Sequence, residues 1–293
     1  MTNTRLGIMY DRAWDPAGLP DFARAVEAAG ADDLWVVEDL GWNGGLTAAA
    51  VALGATRRLR VGLGIAPAPY RNPALFAMEV ATLARVFPGR FAPGLGHGVA
   101  GWLAQVGATP GSTMALLEET LNAVGALLRG ETVSVHGREV TLDGVRLVHP
   151  PEVVPPLFAA AVRAKTLELS GRCAQGTVIA EGHGPEDLKA ARAHFERGGA
   201  GPGHDLAVFA FCHVGDDERG RAAFDAAVAE QAGWLNRDPR ELFTVAGTPA
   251  QAAERIRELQ DAGATTVALR IYNAEPVEQL AAIVEALRAD QPG

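Results

Sequence analysis

The sequence predicts a (β/α)8 TIM barrel, α/β in class, with a small β insertion after the fourth helix. Three observations point there. Short apolar runs alternate with stretches of helical period along the whole chain, and eight such units can be counted. The strand-like runs are apolar at nearly every position, as strands covered on both faces are. The first strand leads into Met9-Tyr10-Asp11-Arg12, which lacks the Gly-rich phosphate turn that a doubly wound sheet would need there.

The elements follow in order. Leu6–Tyr10 is the first strand. Leu19-Pro20-Asp21 opens a helix in which Phe22, Val26 and Ala29 share a face, and Gly30 ends it. Leu34–Val37 is the second strand, followed by an Ala-rich helix over Leu46–Leu53. Leu59–Ile65 is the third strand and Pro73–Arg85 its helix; Arg90–Gly96 is the fourth strand, and Leu116–Leu128 is amphipathic and helical. The rhythm then breaks. Thr132–Leu147 alternates apolar and polar residues around His136-Gly137, a small antiparallel excursion within an insertion of about residues 131–155. Strand Leu157–Ala161, helix Lys165–Arg172, strand Thr177–Ala180 and helix Pro185–Arg197 resume the pattern. Ala207–Val214 is the seventh strand. Helical segments run on through Leu259 with a break near Thr244–Gly247, then come strand Thr266–Ile271 and helix Val277–Leu287. All 293 residues fit one barrel domain.

Composition narrows the function. Hydrophobic residues are 48% and charged residues 21% of the chain, as in folded globular proteins. The net charge of −9 argues against a general nucleic-acid binder, which carries a basic footprint. Cys173 and Cys212 make no disulfide framework, no run is apolar enough to span a bilayer, and Met1–Arg5 leads directly into a strand with no secretory leader. The expectation is a cytoplasmic protein with no membrane or nucleic-acid partner.

In such a barrel the reactive groups stand at the C-terminal ends of the strands. Glu38-Asp39 follows the second strand. Two acids there are costly to bury together, so one should be solvated or share a proton; the plainer reading is a helix cap. Gly62 and Gly64 interrupt the third strand, which calls for a bulge or a close ligand approach, and Asn72-Pro73 reads as a helix cap with proline at the first position. After the fourth strand, four glycines and His97 fall within Gly94–Trp102, a segment that lets a planar ligand reach the backbone. His97 there can serve as proton donor or base. Pro93 breaks the rules of a central strand. Val162-Arg163-Ala164-Lys165 opens a helix whose free amides and two cations make an anion site. Glu181 and His183 follow the sixth strand, and His213 lies in the seventh. No P-loop, nucleophile elbow or zinc spacing is present, and the seven histidines have no ligand spacing, so no metal is assigned. The site suits an organic cofactor or substrate with an anionic tail.

The sequence resembles the bacterial luciferase-like monooxygenase superfamily, in the branch of coenzyme F420-dependent reductases similar to methylenetetrahydromethanopterin reductase. The resemblance rests on Leu34-Trp35-Val36-Val37-Glu38-Asp39, Arg60-Val61-Gly62-Leu63-Gly64-Ile65, Arg71-Asn72-Pro73-Ala74, Pro88-Gly89-Arg90-Phe91, Gly94-Leu95-Gly96-His97-Gly98, Leu117-Glu118-Glu119 and Gly130-Glu131-Thr132-Val133. It implies a homodimeric barrel with the flavin-like ring across the mouth. It also implies a bulge backing the ring at Gly64–Ile65, often with a cis bond. Catalytic candidates are His97, Glu38 and Asp39. Cofactor-binding candidates are Gly64, Ile65, Asn72, Gly96, Gly98, Val162, Arg163, Ala164, Lys165 and Glu181. The sequence departs from the pattern where relatives carry Gly-Pro-Lys and it has Arg163-Ala164-Lys165, and where relatives carry Ala-Asp-Gly and it has Ala174-Gln175-Gly176.

Three functional readings follow. The first is a deazaflavin (coenzyme F420) oxidoreductase passing a hydride to or from a small substrate such as an imine, enone or alcohol. The second is an FMN-dependent monooxygenase of the same superfamily. The third is a non-redox binding protein or catalyst on the same scaffold. The pocket walls are expected from the region after Trp42, the strand-four loop and segment 230–247.

Overall fold

A computed structural model describes residues 4–289, so Met1–Asn3 of the expected leader-free start lie outside the described residues. Eleven strands form: β1 (Arg5–Met9), β2 (Asp33–Val36), β3 (Arg60–Pro67), β4 (Phe91–Gly96), β5 (Val133–His136), β6 (Thr141–Val145), β7 (Phe158–Ala160), β8 (Gly176–Ile179), β9 (Asp205–Val214), β10 (Val245–Gly247) and β11 (Thr266–Ile271). The helices are α1 (Leu19–Ala28), α2 (Gly45–Ala55), α3 (Pro73–Val86), α4 (Ala100–Gln105), α5 (Thr113–Leu128), α6 (Ala164–Cys173), α7 (Pro185–Arg197), α8 (Glu218–Leu235), α9 (Pro249–Asp261) and α10 (Pro276–Ala289). Strands β1-β2-β3-β4-β7-β8-β9-β11 pair in parallel and close on β1, which is the expected eight-stranded barrel.

Three features differ from the sequence reading. Most strand ends move by one or two residues, because the ladder rather than apolarity sets them; β3 runs on to Pro67 and β9 begins at Asp205. The Gly-rich segment after β4 contains the short helix α4. The break near Thr244–Gly247 is a strand, β10, which pairs with β9 outside the ring. The hairpin β5–β6 is the insertion, and it follows α5 as expected.

Two cores flank the barrel wall. The outer core lies between strands and helices; α3, capped by Asn72 and started by Pro73, buries Phe76, Ala77, Val80, Ala81 and Ala84 in it. The inner core fills the barrel with Met9, Trp35, Ala92, Phe158, Val178, Ala207, Phe209 and Ala268. The Trp35 indole occupies the centre, with Phe209 and Phe158 edge-on at 5.3 and 5.9 Å between ring centroids. Such edge contacts add to area burial. Below it a buried ion pair closes the barrel floor. Arg60 Nε donates to Asp33 Oδ1 at 2.9 Å, and its Nη2 donates to Asp33 and to Thr266 Oγ1.

This packing explains the strand glycines. A side chain on Gly62 would run into the Trp35 indole, and one on Gly64 into Phe209. Their absence admits those rings. Pro93 is explained by the same strand pair. The β3–β4 register, Leu63 opposite Pro93, slips before Ala66 meets Leu95, so the bulge falls beside the residue that has no N–H to give. The Gly64–Ile65 bond in that bulge is cis.

Candidate active site at the barrel mouth

Alternation along the strands carries Asp11, Val37, Ile65, Gly96, Ala160 and Arg270 to the open C-terminal end. The resulting mouth has two unlike halves. One half is an apolar floor. Val37, Ile65 and Ala160 pack onto the inner core while remaining partly exposed. Gly96 keeps this floor low, since a side chain there would meet Ile65 and Ala160.

His97 borders the floor. Its Nε2 lies 3.3 Å from the Thr166 hydroxyl, and that hydroxyl donates to the Met114 sulfur at 3.7 Å. With its proton directed to sulfur, Thr166 Oγ1 is placed to accept from Nε2–H. Nδ1 is buried with no hydrogen-bond partner among the described residues. Burial, and then the Arg163 charge, push the His97 pKa below the ordinary histidine value; the Thr113 backbone pulls the other way without reversing it. His97 is therefore neutral at pH 7. Gly98, at φ +74°, turns the chain from β4 toward α4, where a side chain would strike Pro67.

The other half is ionic. Arg71 grips Glu38 through both guanidinium arms, at 2.7 and 2.6 Å, and the Gly45 amide at the start of α2 lies 3.4 Å from Glu38 Oε1. Arg12 donates to Asp39 at 2.6 Å, and its guanidinium faces the Trp42 and Trp102 rings at 5.6 and 6.0 Å. Arg270 donates to Asp11 at 2.9 Å and stands 3.7 Å from Glu181. The neighbouring Tyr272 phenol has its pKa pushed up by burial, so it stays protonated. The adjacent acids thus each have their own guanidinium, and Asp39 is also partly exposed. The Tyr70 hydroxyl, beside both acids, has no hydrogen-bond partner among the described residues, and burial followed by Asp39 and Glu38 raises its pKa.

The remaining predicted residues are spread more widely. Asn72 is occupied as the cap of α3, accepting from Ala74 N at 2.8 Å, and faces a separate cleft of about 360 Å³. Val162 and Ala164 line a second cleft of about 180 Å³ between α6 and α7. No side chain caps the N-terminus of α6, and Arg163 and Lys165 are exposed there. His183 and His213 are tied to the Ala180 and Tyr272 carbonyls at 2.9 and 2.7 Å. Among the described residues, no three His, Cys, Asp or Glu side chains are grouped to hold a metal ion, and no helix is long and apolar enough to cross a membrane.

Sequence reasoning missed Asp11, Arg12, Arg270 and Tyr272. One signal was present: Arg270 is the lone charge in the otherwise apolar strand Thr266–Ile271.

The family model for luciferase-like monooxygenases matches residues 1–266. The chain belongs to the luciferase-like monooxygenase family. It is similar to the 5,10-methylenetetrahydromethanopterin reductase of Methanolobus tindarius, at 23% identity over 84% of this chain and 87% of that one. Among solved structures, it overlays the coenzyme F420-dependent tetrahydromethanopterin reductase from Methanopyrus kandleri with TM-score 0.86 and 18% identity, covering 98% of this chain and 99% of that one. An F420-dependent secondary alcohol dehydrogenase, solved with an F420–acetone adduct, gives TM-score 0.85 and 21% identity over 99% of this chain and all of that one. This luciferase-like chain therefore shares its barrel with proteins named for the deazaflavin.

Proposed function

We propose that this family member is a coenzyme F420-dependent oxidoreductase that transfers a hydride between the deazaflavin and a small organic substrate. The observation that carries this reading is the apolar floor of Val37, Ile65 and Ala160, bordered by His97 with its unpartnered Nδ1. A flat ring suits that floor. The uncapped start of α6, with Arg163 and Lys165, suits an anionic tail. The residues therefore fit the coenzyme. When bound, it would supply the carbon that gives or takes the hydride.

The chain's own residues supply position and protons. Ile65 and Val37 hold the ring face away from water. His97, positioned by Thr166, exchanges the accompanying proton in either direction. Asp39 is the second candidate, its charge balanced by Arg12. Glu38 braces the mouth through Arg71 rather than exchanging protons.

The FMN reading rests on the same floor. An assay separates the two: following the deazaflavin absorbance with candidate imines, enones and alcohols, and oxygen uptake with reduced FMN. The proposal expects substrate-dependent change of the deazaflavin band without oxygen uptake; oxygen uptake with FMN alone overturns it.

We also propose a homodimer. Helix α2 carries no charged residue, and Val51 on it, with Leu75, Met78 and Val86 on one side of α3, is exposed. A helix apolar all round belongs in an interface. Sedimentation at micromolar concentration should give twice the chain mass.

A further inference from the structure

We infer that Glu181 is the recognition point for a protonated nitrogen, so that the substrate is a cationic amine or imine rather than an anion; this rests on the reading of the mouth as a substrate site. Four carboxylates (Asp11, Glu38, Asp39, Glu181) and three guanidiniums (Arg12, Arg71, Arg270) face one another there. The pairing is unequal. Arg71 is spent on Glu38, Arg12 on Asp39 and Arg270 on Asp11, each within hydrogen-bond distance.

Glu181 is left over. Its residue is 8% exposed, yet its carboxylate accepts no hydrogen bond from any described residue, and its nearest cationic nitrogen is Arg270 Nη1 at 3.7 Å. A carboxylate at the mouth with no hydrogen-bond donor among the described residues is open to a positively charged ligand N–H, which would give it a charge-assisted hydrogen bond. Glu181 is held in place through its backbone, whose carbonyl accepts from Gln231 on α8 at 3.0 Å. The Tyr272 ring, neutral and beside Arg270, adds an aromatic face of the kind that cations prefer. On this ionic side every guanidinium is already matched, so a phosphate or carboxylate finds no free cation. Arg163 and Lys165 stand at the start of α6, beside His97 on the other side of the mouth.

The test uses three ligands of one shape, cyclohexylammonium, cyclohexanol and cyclohexyl phosphate. Each is titrated at pH 7 by calorimetry into the wild-type protein and into Glu181→Gln, with and without the deazaflavin. The inference expects cyclohexylammonium to bind about tenfold or more tightly than cyclohexanol, and cyclohexyl phosphate to bind no better than the alcohol. In Glu181→Gln the preference for the ammonium should disappear. Equal binding of the three, tightest binding of the phosphate, or a preference that survives Glu181→Gln overturns it. The wild-type comparison alone decides the matter if the variant does not fold. Failure of the wild-type protein to bind the deazaflavin would instead strike the oxidoreductase reading and leave the ammonium preference to stand or fall separately.

Discussion

Arg71 holds Glu38 at both carboxylate oxygens, 2.7 and 2.6 Å away, across the base of the loop that follows β2. With both partners mostly buried, losing one strands the other. Arg71→Ala should cost about 2–4 kcal/mol of stability. In a double-mutant cycle with Glu38→Gln, denaturant midpoints should reveal a coupling of about 1–3 kcal/mol. Additive effects would mean that the pair is incidental.

The proposed proton exchange at His97 uses Thr166, 3.3 Å from its Nε2, as the orienting partner. His97→Ala should lower kcat by roughly 10²–10⁴. The acid limb of the wild-type pH–rate profile should have its midpoint below the ordinary histidine value of about 6.5, following the direction in which burial moves this group. A limb above that value, or unchanged turnover in the variant, would remove the role.

Acid should also weaken the fold through His97 and His204, both of whose pKa values are lowered, first by burial. In the unfolded chain each takes up a proton near pH 6.5, while the folded protein resists it. Their contribution is fully present above that pH and is lost as pH falls through the folded values. The melting temperature should therefore drop on acidification from pH 7 to 5, and less steeply in His204→Gln. A flat profile over this range would contradict the assignment.

Much of this architecture was legible in the sequence. The run Thr266–Ile271 was bounded to the residue, because Gly263 before it and Asn273 after it punctuate a mostly apolar strand. The hairpin declared itself by alternation around His136-Gly137. Helix α4 did not, since Val99 offers no side-chain cap and glycines crowd its start. The site was half legible. Glu38, Asp39 and His97 follow strand ends, which is a local signal. Their partners are not local: Arg71 is 33 positions from Glu38, and Arg270 is 259 from Asp11. Pairing of β2 with β3 brings the first pair together, and closure of β11 on β1 the second. The strand glycines were legible as the mark of a bulge, which lies between Leu63 and Ala66; the rings they also admit, Trp35 and Phe209, belong to other strands and were not.

That packing is testable. Gly62→Ala places a methyl group against the Trp35 indole and should destabilise by about 1–3 kcal/mol. Gly233→Ala, in α8 with open space around it, should instead stabilise by about 0.5–1 kcal/mol. Thermal melts of the two variants check both signs.

Glu119 gathers three consecutive amides of the hairpin, Arg138, Glu139 and Val140, at 2.8 to 2.9 Å. Burial, the largest single influence, pushes its pKa up, but the three amides and the Arg138 charge together hold it below the ordinary value. Glu119→Ala should cost about 1–2 kcal/mol and raise amide exchange in the segment 133–145 selectively. Uniform exchange along the chain would show that the hairpin is held otherwise.

The central claim is that a flat deazaflavin lies on the floor made by Val37, Ile65 and Ala160. Equilibrium titration of the purified protein with coenzyme F420 and, separately, with FMN, in wild type and Ile65→Asp, tests it most directly. Saturable binding of the deazaflavin in preference to FMN, weakened at least tenfold by a charge at position 65, is the predicted result. Absence of deazaflavin binding, or binding indifferent to Ile65→Asp, would contradict it.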